Sequence, residues 1–124
     1  MARFFHDVTF SGPFGEYTVQ AVVDPASTFS IVPAPALLEL GIEAVRIVRL
    51  LDEQRAVRFA QMGRVLTRVD GVEDLTPVLF GEAGLPTVLG SLSLTMLLLQ
   101  ADEANERLVP LEARAPAGFV APER

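Results

Sequence analysis

The sequence of 124 residues contains no cysteine, no tryptophan and no lysine. Without cysteine there is no disulfide frame, no thiol nucleophile and no thiolate metal site. One histidine, His6, leaves too few imidazoles for a histidine-rich zinc site. All ten cations are arginine, which excludes a P-loop lysine and Schiff-base chemistry. The nine glycines form no G-x-G-x-x-G fingerprint. An enzyme built from this chain must therefore work with carboxylates, hydroxyls or backbone groups, and no cofactor and no metal are expected. Sixteen acidic residues against ten arginines give a net charge of −6, which argues against a nucleic-acid partner. The N-terminal residues reach charge too early for a secretion signal, and the most apolar run, Leu92 to Leu99, is too short to span a bilayer. A cytoplasmic location with no membrane partner is the expectation.

What is present is a large apolar supply. Half of the residues are apolar and the mean hydropathy is +0.37, enough for one packed domain. The pattern predicts a mainly β chain with one or two short helices. Phe4 to Phe10 and Tyr17 to Val23 flank a Gly/Pro turn cluster and read as a hairpin. Phe29 to Val32 is a short strand stopped by Pro33. Pro35 near its start and Gly41 at its end mark a helix over 34–41. Val45 to Leu51 and Arg55 to Met62 form a second hairpin around Asp52-Glu53-Gln54. Arg64 to Val69 is a separate strand, ended by the turn Asp70-Gly71 and followed by Leu75 to Phe80. Thr87 to Leu89 is a buried strand. Leu92 to Leu99 fits either helix or strand, with Ser91 as a cap for the helix. Arg107 to Leu111 closes the domain, 1–112, and residues 113–124 are a flexible tail. No internal repeat is visible.

The most informative segment is Ala21 to Pro33. An apolar strand delivers one carboxylate, Asp24, into a loop of small and hydroxyl residues, Pro25, Ala26, Ser27 and Thr28, and a second apolar strand leaves it. Taken locally, this is also the pattern of an Asp-Pro turn in which the carboxylate bonds its own backbone.

The order of motifs resembles the retropepsin-like aspartic proteases, the retroviral-type, single-domain family with bacterial members. Val22-Val23-Asp24-Pro25-Ala26-Ser27-Thr28 stands where that family has two apolar residues and Asp-Thr-Gly-Ala/Ser-Thr. Leu40-Gly41-Ile42 closes the helix, Val78-Leu79-Phe80-Gly81 matches a family strand, and Val88-Leu89-Gly90 precedes the second helix. Asp102 through Arg107-Leu108-Val109-Pro110 resembles the close of bacterial members. The resemblance implies an acid-protease half barrel and a homodimer that hydrolyses a peptide or protein substrate. Asp24 would be catalytic. Pro25, Ala26, Ser27 and Thr28 would support its loop, Leu89 and Gly90 would form the second supporting loop, and Asp52, Glu53 and Gln54 would form the flap tip. Departures fall on the loop itself: Pro25 replaces a threonine that bonds across the dimer axis, and Ala26 replaces a glycine. A catalytically inactive dimer of the same fold, acting as a binding or scaffold module, is the alternative.

Overall fold

The first reversal of the chain sits on Pro13-Phe14. Proline lacks an N–H and holds φ near the value a turn needs, so the strands pair immediately on either side. In the computed structural model, which describes residues 3–123, strand β1 (Phe4–Gly12) and strand β2 (Gly15–Asp24) pair from Gly12↔Gly15 to Phe4↔Val23. Strand β3 (Ser30–Pro33) runs into helix α1 (Ala34–Glu39), which carries proline in its first turn; Gly41 follows at φ 81°. Strand β4 (Arg46–Leu51) then pairs with β5 (Val57–Val69), and β5 with β6 (Val72–Gly81). The turn between β5 and β6 is Asp70-Gly71, with φ 51° and 81°, the left-handed pair that a tight hairpin of matching twist requires. Strand β7 (Val88–Gly90) leads directly into helix α2 (Ser91–Met96). Strands β8 (Leu99–Asp102) and β9 (Arg107–Pro110) form a separate two-stranded sheet.

The main sheet closes on itself. Its order β1-β2-β7-β3-β6-β5 returns to β1 through an antiparallel contact centred on Phe10↔Thr67, which makes a six-stranded barrel. Closure removes the open strand edges that an unrolled sheet would expose. The hairpin of β4 with the first part of β5 hangs outside the ring. Inside it pack Val8, Phe10, Ala21, Val23, Val32, Val65, Val69, Val78 and Leu89, with Leu37 and Leu94 contributed by the two helices. Each such side chain taken from water contributes about 1.5–3 kcal/mol before entropy is counted.

An internal two-fold relates the two halves of the barrel. Helix α1 begins at Ala34 and α2 at Ser91, 57 positions later (91 − 34). The same separation of 57 relates turn to turn and the strand registers of the six-stranded ring: the parallel pair Asp24↔Gly90 becomes Gly81↔Pro33, and the pairs Phe10↔Thr67 and Ile31↔Val88 map onto themselves. Buried positions follow it, as in Val8/Val65, Ala21/Val78, Leu37/Leu94, Leu40/Leu97 and Ile42/Leu99. Backbone follows it too: Gly41 at φ 81° and Leu98 at φ 58° both end their helices left-handed. Identity between residues 4–42 and 61–99 is confined to Val8/Val65, Glu16/Glu73, Ala26/Ala83, Leu37/Leu94 and Leu40/Leu97. The repeat is therefore one of burial and register, which is why inspection of residue types does not find it.

Three further expectations are corrected. The strands expected on either side of Gly63 are one continuous β5. Gly63 is there for close packing rather than a break, since a Cβ on it would lie 2.8 Å from the Glu43 carbonyl oxygen. The run Leu92 to Leu99 is divided: α2 takes its first part, and the left-handed Leu98 turns the chain into β8. Ser91 does not cap α2; the cap position is Gly90, without a side-chain bond. Residues 112–123 carry no helix or strand. Among the described residues no helix is long and apolar enough to cross a membrane.

Candidate functional site

Asp24 is the last residue of β2, paired in parallel register with Gly90 at the end of β7. Beyond it Pro25 cannot donate a ladder bond, so the chain turns away. Ser27 N–H donates to the Asp24 carbonyl at 3.0 Å, and Ala26 N–H donates to Asp24 Oδ1 at 3.1 Å. The local Asx-type turn anticipated for Asp-Pro is thus present. It leaves Oδ2 facing outward, 3.3 Å from Nη2 of Arg3, with the Asp24 side chain 14% exposed and Arg3 62% exposed.

The loop is fastened to the second helix. Ser27 and Thr28 offer their carbonyl oxygens to the N–H groups of Ser91 and Leu92, at 2.7 and 3.0 Å. These are two of the donors that a helix start leaves unpaired. Ser27 Oγ donates to the Phe29 carbonyl at 2.9 Å. Gly90 lies so close to this loop that a Cβ would be 2.5 Å from the Phe29 carbonyl carbon and oxygen. Its N–H donates to Ser30 Oγ at 3.0 Å. Ser30 in turn begins a buried chain of hydroxyls through Ser93, Thr76 and Thr67. The position of Asp24 therefore rests on backbone contacts that depend on glycine and on a hydroxyl chain inside the core.

Above the loop lies a cleft of about 550 Å³ lined by Arg3, Asp24, Ala26, Ser27, Thr28 and Phe29 on one side. Leu50, Leu51, Asp52 and Glu53, from the end of β4 and the hairpin tip, line the other. The Asp24 loop and the hairpin tip thus line the same cleft. Pro25, Gln54, Leu89 and Gly90 are outside the lining; Leu89 is fully buried and acts through packing. Asp52 builds the tip itself. Its Oδ1 accepts from the N–H groups of Gln54 and Ala56, at 3.0 and 2.9 Å, and its Oδ2 lies 3.7 Å from Arg58.

Arg3 carries no signal of a site role in its immediate sequence neighbours. Counting back from the β1–β2 turn finds it: the register that pairs Phe4 with Val23 puts Arg3 opposite Asp24. It is also the only cation before Arg46. His6 takes no part in the cleft; its Nε2 lies 2.9 Å from Asp70 Oδ1 at the β5–β6 turn. Among the described residues no group of acidic or histidine side chains is arranged to hold a metal ion.

The arrangement presents the Asp24 carboxylate on one side of a cleft of mixed apolar and polar lining, with Asp52 and Glu53 of the hairpin tip on the other. Asp52 is bonded within the tip, and the Asp24 loop carries no second carboxylate. One carboxylate can accept a proton or donate one, but a concerted addition of water to a carbonyl needs a partner acid. The internal two-fold does not supply it, because the counterpart of Asp24 is Gly81. Comparison of the chain with protein-family models and with curated proteins finds no match.

Proposed function

We propose that the chain is one subunit of a homodimeric retropepsin-like aspartic endopeptidase, a weak one, acting on peptide or protein substrates. The observation that carries the reading is Asp24 itself: a mostly buried carboxylate at a strand end, gripped on one oxygen by backbone, opening into a cleft of about 550 Å³ under a hairpin tip. Because Gly81 occupies the internal counterpart, the second carboxylate must come from a second copy, with the site on the axis between them. Two Asp24 side chains over one water cannot both ionise, so the pair shares one proton. One carboxylate takes a proton from the water as it attacks the peptide carbonyl. The other protonates the carbonyl oxygen. The two protonation steps belong to the pair.

A second reading has its own support. Arg3 is bonded to the outward oxygen of Asp24, and Pro25 offers neither hydroxyl nor N–H to a facing chain. Both favour an inactive dimer of the same fold serving as a binding or scaffold module.

Sedimentation at micromolar concentration together with a fluorogenic-peptide assay between about pH 4 and 6 separates them. The peptidase reading expects a dimer whose cleavage is abolished in Asp24→Asn with the fold retained. A dimer without cleavage selects the scaffold reading, and a strict monomer removes the shared site.

A further inference from the structure

The inner face of the β4–β5 hairpin carries a row of alternate residues, Leu50, Val48 and Arg46. Leu50 lines the Asp24 cleft, whereas Val48 and Arg46 line a neighbouring groove of about 360 Å³. Phe29 lines both, so the groove continues the cleft. Its apolar lining comes from Met62, Leu92 and Met96, and two cations stand on it, Arg46 and Arg64. Arg46 pairs across the ladder with Met62, so Arg64 is its diagonal neighbour on the same face, about 7–8 Å away by ordinary sheet geometry. Among the described residues neither guanidinium enters an ion pair, although the chain as a whole is acidic. Arg64 also borders another groove, beside Gly41, Ile42 and Glu43. Like charges at neighbouring positions of one sheet face repel each other, and an anion set between them relieves that repulsion.

We propose that this groove is a subsite for an acidic side chain of an extended peptide whose apolar residues occupy the Asp24 cleft. The distance follows from the strand. Leu50 and Arg46 are four residues apart, about 13 Å at the rise of a β-strand. An extended peptide running along β4 therefore presents its acidic residue about four positions from the apolar side chain seated at Leu50. Methionine at two wall positions suits a groove that must adapt to varied apolar neighbours. The proposal rests on the peptide-binding part of the function proposed above, and it does not depend on hydrolysis.

The test is fluorescence anisotropy with labelled peptides. Each has ten residues, with leucine–phenylalanine at positions five and six and a glutamate at position one or nine, four residues before or after the leucine, and with glutamine and lysine versions of both. The protein is the full chain, as wild type and as Asp24→Asn to prevent turnover. One glutamate peptide is expected to bind about tenfold more tightly than its lysine version. The double charge reversal Arg46→Glu, Arg64→Glu is expected to invert that order, which an unfolded variant cannot do. Equal affinity for the three versions, absence of binding by any of them, or a glutamate preference that survives the double reversal overturns the proposal. Charge-selective binding without cleavage keeps the subsite and removes the peptidase. Cleavage without charge selection does the reverse.

Discussion

Residues 4–42 and 61–99 build the same half-barrel twice, yet they fill it differently. In the second half, Thr67, Thr76 and Ser93 run a hydroxyl chain through the core and reach across to Ser30. Their counterparts in the first half are Phe10, Val19 and Ala36, all apolar. Ser30 has its own counterpart in Thr87, whose buried hydroxyl finds no partner. The reason lies in the repeat. Ser30 is satisfied by the Gly90 N–H and by Ser93; the equivalent positions around Thr87 are Pro33, which has no N–H, and Ala36, which has no hydroxyl. The same backbone thus accommodates a polar core and an apolar one, because the ring of β registers is satisfied by main-chain bonds in both. The carboxylate that marks the candidate site is likewise present in one half only. Its pole of the barrel also carries Arg3 and the β4–β5 hairpin. The fold comes from what the halves share, and the candidate site from where they differ.

The largest test of that contrast compares the two glycines at the strand ends. In Gly90→Ala the new methyl meets backbone, the Phe29 carbonyl group at 2.5 Å and the Ser27 oxygen at 2.9 Å. Urea denaturation should show a loss of about 3 kcal/mol, the upper end for overpacking. In Gly81→Ala the close atom is a side-chain methyl, Ile31 Cγ2 at 2.5 Å, and the Val32 oxygen is 3.3 Å away. The loss there should be nearer 1 kcal/mol, as the isoleucine can move. Equal losses would mean that the Asp24 loop is not pinned by Gly90.

A second pair of variants tests the hydroxyl chain. Thr76→Val removes one partner each from the hydroxyls of Thr67 and Ser93, which keep their bonds to the Val65 carbonyl and Ser30 Oγ, and should cost about 1 kcal/mol. Thr87→Val removes a buried hydroxyl that had no partner and should stabilise the protein by about 1 kcal/mol. Melting temperatures that move in the same direction for both would break the distinction between the halves.

The smallest effect lies where the halves part company. After Ile42 the chain enters the hairpin that roofs the cleft; after the equivalent Leu99 it enters the β8–β9 sheet. Asp102 ends β8. The Asn105 side chain, bonded at 2.9 Å, holds its carboxyl below the usual carboxylate range; burial opposes this, and Arg107 adds to the lowering. A folded-state value depressed in this way stabilises the fold above the ordinary carboxylate range, and the contribution is lost as pH falls through the lowered value. In an NMR titration the Asp102 carboxyl should titrate below the exposed acidic residues, and Asn105→Ala should raise it. An unchanged titration in that variant would shift the cause to Arg107.

Much of the local architecture could be read from residue types. Gly12-Pro13-Phe14-Gly15 and Asp70-Gly71 mark two hairpins, Pro35 and Gly41 bracket α1, and Asp24 with its loop stands out between apolar strands. The hairpin around Asp52-Glu53-Gln54 is legible too, and Asp52 and Glu53 line the same cleft as the Asp24 loop. Other features were hidden for identifiable reasons. Leu98 adopts φ 58° although it is not glycine, so the boundary between α2 and β8 leaves no signal in residue type. Gly63 carries the usual mark of an interruption, but it is required by the packing of Ile42 and Glu43 against β5. Arg3 emerges only from the register of β1 on β2.

The sequence by itself determined most of the strands, where the tight turns fall and that Asp24 sits at the end of an apolar strand. Each depends on neighbours a few residues apart, through alternation of apolar side chains and through the backbone preferences of glycine, proline and aspartate. Only the tertiary structure decided that the sheet closes between Phe10 and Thr67, that the two halves share one frame at a separation of 57 residues, and that the hairpin tip stands over Asp24. Those outcomes depend on parallel pairings between distant segments, β2 with β7 and β3 with β6. Such pairings are selected by the joint burial of many side chains and the closing of every backbone bond, and no short stretch of residues encodes them alone.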